Sequence, residues 1–169
     1  MRYVDTPTVE VDIVIDASPE RVYDIVSDIN LPAQFSTEFQ GATWLDGASG
    51  PTRGARFEGR NAHKAIGEWT TTCIVTAADS GREFSYAVSD VDSPSARWWF
   101  FIEQADGGTK LRHKMQIGPG ESGLSPAIKA MPDKEERIIE RRLQEHETNM
   151  RLTLEGVKAL AERPAGDGS

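Results

Sequence analysis

The chain has 169 residues, enough for one domain with a sizeable core and too few for two of ordinary size. Its formal net charge of -8, with no dense Lys/Arg block, argues against the basic surface of a nucleic-acid-binding protein and against attraction to an anionic membrane. Cys73 is the sole cysteine, so no intrachain disulfide can form. No apolar run approaches the ~20 residues of a membrane span, and Met1 to Asp16 is acidic where a signal peptide would be apolar, so a soluble cytoplasmic protein is expected.

Val9, Val11, Ile13 and Ile15 alternate with Glu10, Asp12, Val14 and Asp16, the period of a strand with one buried face. Ser18-Pro19 then opens a helix, with Ser as N-cap and Pro in the first turn, and Val22, Ile25, Val26 and Ile29 give it a dry side. Leu31 to Ser36 can add one further turn and Phe39 to Leu45 a short strand. Asp46 to Gly54 is a loop by its Gly, Ser and Pro content. Hairpins follow. Ala55 to His63 alternates, Glu68 to Ala77 is rich in Thr and Val, and Asp79-Ser80-Gly81 turns the chain. Phe84, Tyr86 and Val88 alternate with polar neighbours, and Asp106-Gly107-Gly108 is a hairpin turn after Arg97 to Gln104. The last strand has the cleanest period of two: Leu111, His113, Met115 and Ile117 inward, Lys110, Arg112, Lys114 and Gln116 outward.

After the flexible link Gly118 to Gly123 and a short turn from Ser125, one long helix runs from Asp133 to about Glu162. Asp133 with Glu136 has capping-box spacing. Ile139, Leu143, His146, Met150, Thr153, Val157 and Ala161 share its dry stripe, with Arg142 at the edge and Leu152 off the pattern. Strand, two short helices, six strands and a long helix give an α+β architecture, a curved antiparallel sheet of about seven strands around that helix. One domain over 1–162 and a flexible C-terminal tail over 163–169 are expected.

Ser18-Pro19-Glu20-Arg21-Val22-Tyr23-Asp24-Ile25-Val26-Ser27-Asp28-Ile29 resembles the opening motif of the polyketide cyclase/dehydrase branch of the START/Bet v 1-like (SRPBCC) superfamily. Glu68 to Val75 and Gly107-Gly108-Thr109 are similar to that branch too, and the resemblance covers Thr8 to about Ala161. It implies the helix-grip (Bet v 1-like) fold. It implies function only loosely, because the superfamily includes lipid carriers, cyclases and partner proteins.

Strand alternation puts Phe57, Asn61, His63, Trp69, Thr71, Cys73, Phe84, Tyr86, Trp98, Phe100, Leu111, His113 and Met115 on the inner face of the sheet, joined by His146 and Met150 from the helix. That composition, apolar with a few polar groups, suits either a solid core or a small-molecule site, and the resemblance favours a cavity. All of these except Cys73, which reads as an inert filler, are the candidate ligand-binding residues. His113, His146 and Tyr86 are the candidates for moving a proton. The three histidines come from separate elements without ligand spacing, so neither a metal nor another cofactor is expected. No Asp or Glu falls on the expected inner wall, and no nucleophile motif is present. Trp99 and Phe101 face out, either as a homodimer or partner surface or under the long side chains of Arg112 and Lys114. The expected function is binding of a hydrophobic or aromatic small molecule, lipid- or polyketide-like, between sheet and helix. The alternatives are an acid–base enzyme of cyclase/dehydrase type and a scaffold or regulatory partner protein. The loops Asp46–Gly54 and Ser125–Met131 are expected to frame the cavity mouth.

Overall fold

The structure is a computed structural model that describes residues 1–164. Its elements are β1 (Thr8–Ile15), α1 (Pro19–Val26), a 3-10 turn (Leu31–Gln34), β2 (Phe39–Trp44), β3 (Arg56–His63), β4 (Gly67–Asp79), β5 (Glu83–Val88), β6 (Ala96–Ala105), β7 (Gly108–Ile117), α2 (Ser125–Ala130) and α3 (Glu135–Ala161). The strands form one antiparallel sheet in the order β1-β7-β6-β5-β4-β3-β2. This is the expected helix-grip fold, the sheet curving around α3. Of the predicted tail over 163–169, all but the first two residues lie outside the described residues.

The strand register follows the alternation. Trp98 lies opposite Met115, Phe100 opposite His113 and Ile102 opposite Leu111, so one face carries these rows inward. Leu111, His113, Met115 and Ile117 are all buried. On the outer face Trp99 pairs with Lys114 and Phe101 with Arg112. The Lys114 ammonium sits 5.2 Å from the Trp99 ring centroid and the Arg112 guanidinium 4.8 Å from that of Phe101. These contacts partly cover both rings. Ser85 is buried on that outer face, opposite Trp99, with its Oγ donating to Glu83 at 2.6 Å.

The hairpin at Asp106-Gly107 closes tightly, with Gly107 at φ +83°. Gly108, at φ +141°, has no room for a side chain: a Cβ there would stand 2.1 Å from the Ile15 carbonyl oxygen.

The position of α3 decides whether the sheet encloses space. Its C-terminal half is tied to one edge of the molecule. Arg21, on α1, donates from Nε to the Ala161 carbonyl at 2.7 Å and caps the helix end, and Lys158 donates from Nζ to the Val14 carbonyl at 2.9 Å. Basic groups at a helix C-terminus also meet its dipole favourably. Ser18 caps α1 as expected, its Oγ accepting from the Arg21 N–H at 3.2 Å. The helix therefore lies close to β1 and α1 and stands off the middle strands. The predicted cap at Asp133 does not form. Pro132–Lys134 make a 3-10 turn and α3 begins at Glu135 with no side-chain cap. Pro132, with its fixed φ, preorganises that turn and leaves Asp133 inside it. Glu135 instead accepts from the Tyr3 N–H at 3.0 Å and pins the amino-terminal segment.

Candidate ligand-binding site

Between α3 and the middle strands lies a cavity of about 370 Å³, continuous with an inner chamber of about 100 Å³. Glu38, Asn61, Thr71, Val88, Trp98 and His146 line both. The larger space adds Trp69, Met115, Ile66 and Leu124; the inner one adds Phe57, Cys73, Tyr86, His113, Met150 and Thr153. Ten of the expected binding residues are thus brought together around these spaces, eight from the sheet and two from α3. Four are not. Phe84, Phe100 and Leu111 face inward but are packed solid as core beneath the chamber. His63, at the end of β3, lines neither space and pairs with Glu145.

Only one side of the expected mouth is at the cavity. Antiparallel connection places the β3–β4 turn, the β5–β6 loop and the start of α3 at one end of the sheet. Ile66, Ser89, Ser122 and Gly123 line the cavity there. The Asp46–Gly54 loop joins β2 to β3 at the opposite end and lines neither space. On the helix side, the lining comes from the link just before Ser125, not from α2 itself.

Trp98 organises the polar groups. His146 meets its ring edge-on at 5.3 Å, and His113 lies at 5.5 Å while stacking on Phe100 at 3.9 Å. His113 Nδ1 is 2.9 Å from the Trp99 carbonyl oxygen. A carbonyl only accepts, so Nδ1 carries the proton and Nε2 the lone pair. Burial pushes the His113 imidazole down to about 4. Burial, with the nearby Arg142 guanidinium, also holds His146 well below the ordinary histidine range. Tyr86 is raised by burial, and Cys73 is raised to about 12 by burial, which leaves the thiol protonated and inert. Tyr86 and His146 are only half-buried by surface area, yet burial dominates both shifts; the surface they show is cavity wall.

The expectation that no acid reaches the wall is corrected. Glu38 is 8% exposed and lines both spaces. It binds Arg142, itself 8% exposed, in a two-pronged pair: Arg142 donates from one Nη to Glu38 Oε2 at 2.9 Å and from the other to Oε1. Arg142 also lies 3.8 Å from Glu145, whose carboxylate faces His63 Nε2 at 2.5 Å. His63 Nδ1 accepts from the Ala65 N–H at 3.0 Å, so its proton is on Nε2 and is given to Glu145. His63 is therefore part of a polar chain from the β3–β4 turn through α3 to Glu38. Among the described residues no three His, Cys, Asp or Glu side chains converge on one point. The one sequence signal for this chain was Arg142, placed beside the dry stripe.

A curved sheet gripping a long helix around an apolar cavity defines a helix-grip pocket protein. The sequence matches the family described as "Polyketide cyclase / dehydrase and lipid transport" over residues 6–162, and the chain belongs to that family. It is similar to the solution structure of the Polyketide_cyc-like protein Cgl2372 from Corynebacterium glutamicum, with 30% identity over 92% of this chain and 91% of that one and a TM-score of 0.65. The di-domain ARO/CYC BexL from the BE-7585A biosynthetic pathway shares the fold at 18% identity and a TM-score of 0.71, over 96% of this chain and 52% of BexL. Ara h 8.0201 shares it at 16% identity and a TM-score of 0.57, over 91% of this chain and 99% of that one. No curated protein matches the sequence.

Proposed function

We propose that this protein binds a hydrophobic or aromatic small molecule, lipid- or polyketide-like, in the cavity between sheet and α3. The observation that carries this reading is the cavity of about 370 Å³ walled by Trp69, Trp98, Met115, Val88 and Ile117. Its size falls in the ~300–1,000 Å³ range of small-molecule sites, and its wall has their make-up, apolar with a few placed polar groups. Aromatic walls suit flat ligands because ring pairs add ~0.5–1.5 kcal/mol beyond the burial of area. Titration with an apolar fluorophore should quench tryptophan emission at micromolar concentration. Trp98→Ala should weaken that binding more than Trp99→Ala, since Trp98 lines the cavity and Trp99 lies under Lys114. No binding in a broad apolar panel, or damage from Trp99→Ala alone, contradicts the reading.

A second reading, an acid–base enzyme of cyclase or dehydrase type, draws support from the two imidazoles beside Trp98. Burial keeps both unprotonated near neutral pH, so each presents a neutral ring to a bound molecule, and the same burial makes each a weak base. Recovery of a bound ligand chemically unchanged after long incubation would count against catalysis on that compound. A partner or homodimer role for the outer face near Trp99 and Phe101 has less support, because cations already partly cover both rings. Light scattering that shows a dimer dissolved by Trp99→Ala would restore it.

A further inference from the structure

We propose that the cavity selects an uncharged ligand bearing a hydroxyl group, seats that hydroxyl in the inner chamber against Tyr86, His113 or His146, and rejects carboxylates of the same size. This rests on the reading that the cavity binds a small molecule at all.

The first observation is unused hydrogen-bonding capacity. The hydrogen bonds of the described residues leave Tyr86 Oη, His113 Nε2 and the His146 ring nitrogens without a protein partner. Yet among the described residues no fully sealed side-chain N or O lacks one. Those atoms therefore open onto the chamber that their residues line. His113 Nε2 is an acceptor, because its proton is committed to the Trp99 carbonyl through Nδ1. Tyr86 Oη both donates and accepts. A hydroxyl gives and takes one bond, so it matches this set, and an apolar group would leave it unmet.

The second observation is charge. The charged residues lining the two spaces are Glu38, Glu121 and Arg142, and each is already paired: Glu38 with Arg142, and Glu121 with Lys129, whose Nζ donates to it at 2.7 Å. Both Arg142 prongs are held by Glu38, and the pair is buried. Among the described residues that line the two spaces, no free cation is left to receive an incoming carboxylate. Burial also opposes protonation of either histidine, so neither becomes that cation near neutral pH. Stripping water from an unpaired carboxylate costs far more than stripping it from a hydroxyl that finds partners.

The test is calorimetric titration of the full chain with naphthalene, 2-naphthol and 2-naphthoate at about pH 7, where the last is anionic. The expected order is 2-naphthol about tenfold tighter than naphthalene, with 2-naphthoate at least about tenfold weaker than naphthalene. Tyr86→Phe and His146→Phe each remove atoms with no protein partner, so both variants keep the fold, which melting checks. At least one should lower 2-naphthol affinity about three- to tenfold more than it changes naphthalene affinity. Equal affinity for all three ligands, or tightest binding of 2-naphthoate, overturns the proposal and leaves cavity binding intact. Unchanged 2-naphthol affinity in both variants also overturns it. If none of the three binds the wild-type chain, the binding reading falls and the proposal with it.

Discussion

His113 donates to the Trp99 carbonyl and stacks on Phe100, and among the described residues no carboxylate pairs with its ring to reward a second proton. Its imidazole, lowered to about 4 by burial, titrates near 6.5 in the unfolded chain. Between those values the unfolded state binds the proton and the folded state does not, so stability falls as pH falls through that window. The loss should be on the order of 3 kcal/mol for this group. Urea midpoints at about pH 7 and about pH 4.5 should show it, and the His113 ring resonance should not titrate above about pH 5. A resonance that titrates near 6.5 would contradict the placement. The Glu38–Arg142 pair makes a different claim. Glu38→Ala should cost about 3–5 kcal/mol by leaving a buried guanidinium unpaired. Glu38→Leu combined with Arg142→Met should recover most of that loss, because apolar replacement of both partners removes the desolvation cost as well. Equal denaturation midpoints for Glu38→Ala and wild type would show the pair to be solvated. Sequence alternation could not find Glu38, since it stands before β2 begins and has no periodic neighbour. Arg142 was visible as an anomaly, but its partner lies 104 positions away.

At the scale of elements, α3 shows where periodicity is informative. Ile139, Met150, Thr153, Val157 and Ala161 were legible as its dry stripe and are buried. Gly156 was not legible as a packing residue. A Cβ there would stand 2.4 Å from the Phe35 ring. In an exposed helix Gly→Ala gains up to ~1 kcal/mol. Here Gly156→Ala should cost about 1–3 kcal/mol by overpacking. Pairing it with Phe35→Leu should reverse the sign, and a stabilised single variant would contradict the contact. On the same helix Val157→Asp should cost several kcal/mol as a buried unpaired charge, roughly 3–5, while Glu155→Ala should stay within ~0.5 kcal/mol. The strand β7 was legible to the residue because its outer positions are all long and polar. The start of α3 was misread because a proline-led 3-10 turn and a capping box share the same local letters.

For the whole molecule, the order of elements and the direction of each strand face were enough to reach the fold. Which inward residues meet empty space was not, because Phe84 and Phe100 alternate just as Tyr86 and Trp98 do. The difference arises from where α3 is tied down: Arg21 and Lys158 hold its far half against β1 and α1, and the gap remains over the middle strands. Those are contacts between distant segments with no local signature. The Asp46–Gly54 loop was misplaced at the mouth for a related reason. Loop composition marks flexibility, while antiparallel topology decides which loops share an end with the start of α3.

The central claim is that this gap receives an apolar ligand. The most direct measurement is a chemical-shift map of the protein titrated with 2-naphthol, following tryptophan indole and methionine methyl signals. The indoles of Trp69 and Trp98 and the methyls of Met115 and Met150 line the cavity and should shift together with one saturation curve. The Trp99 indole on the outer face and the exposed Met1 methyl should stay in place. Shifts confined to Trp99, or none at saturating ligand, would contradict the account.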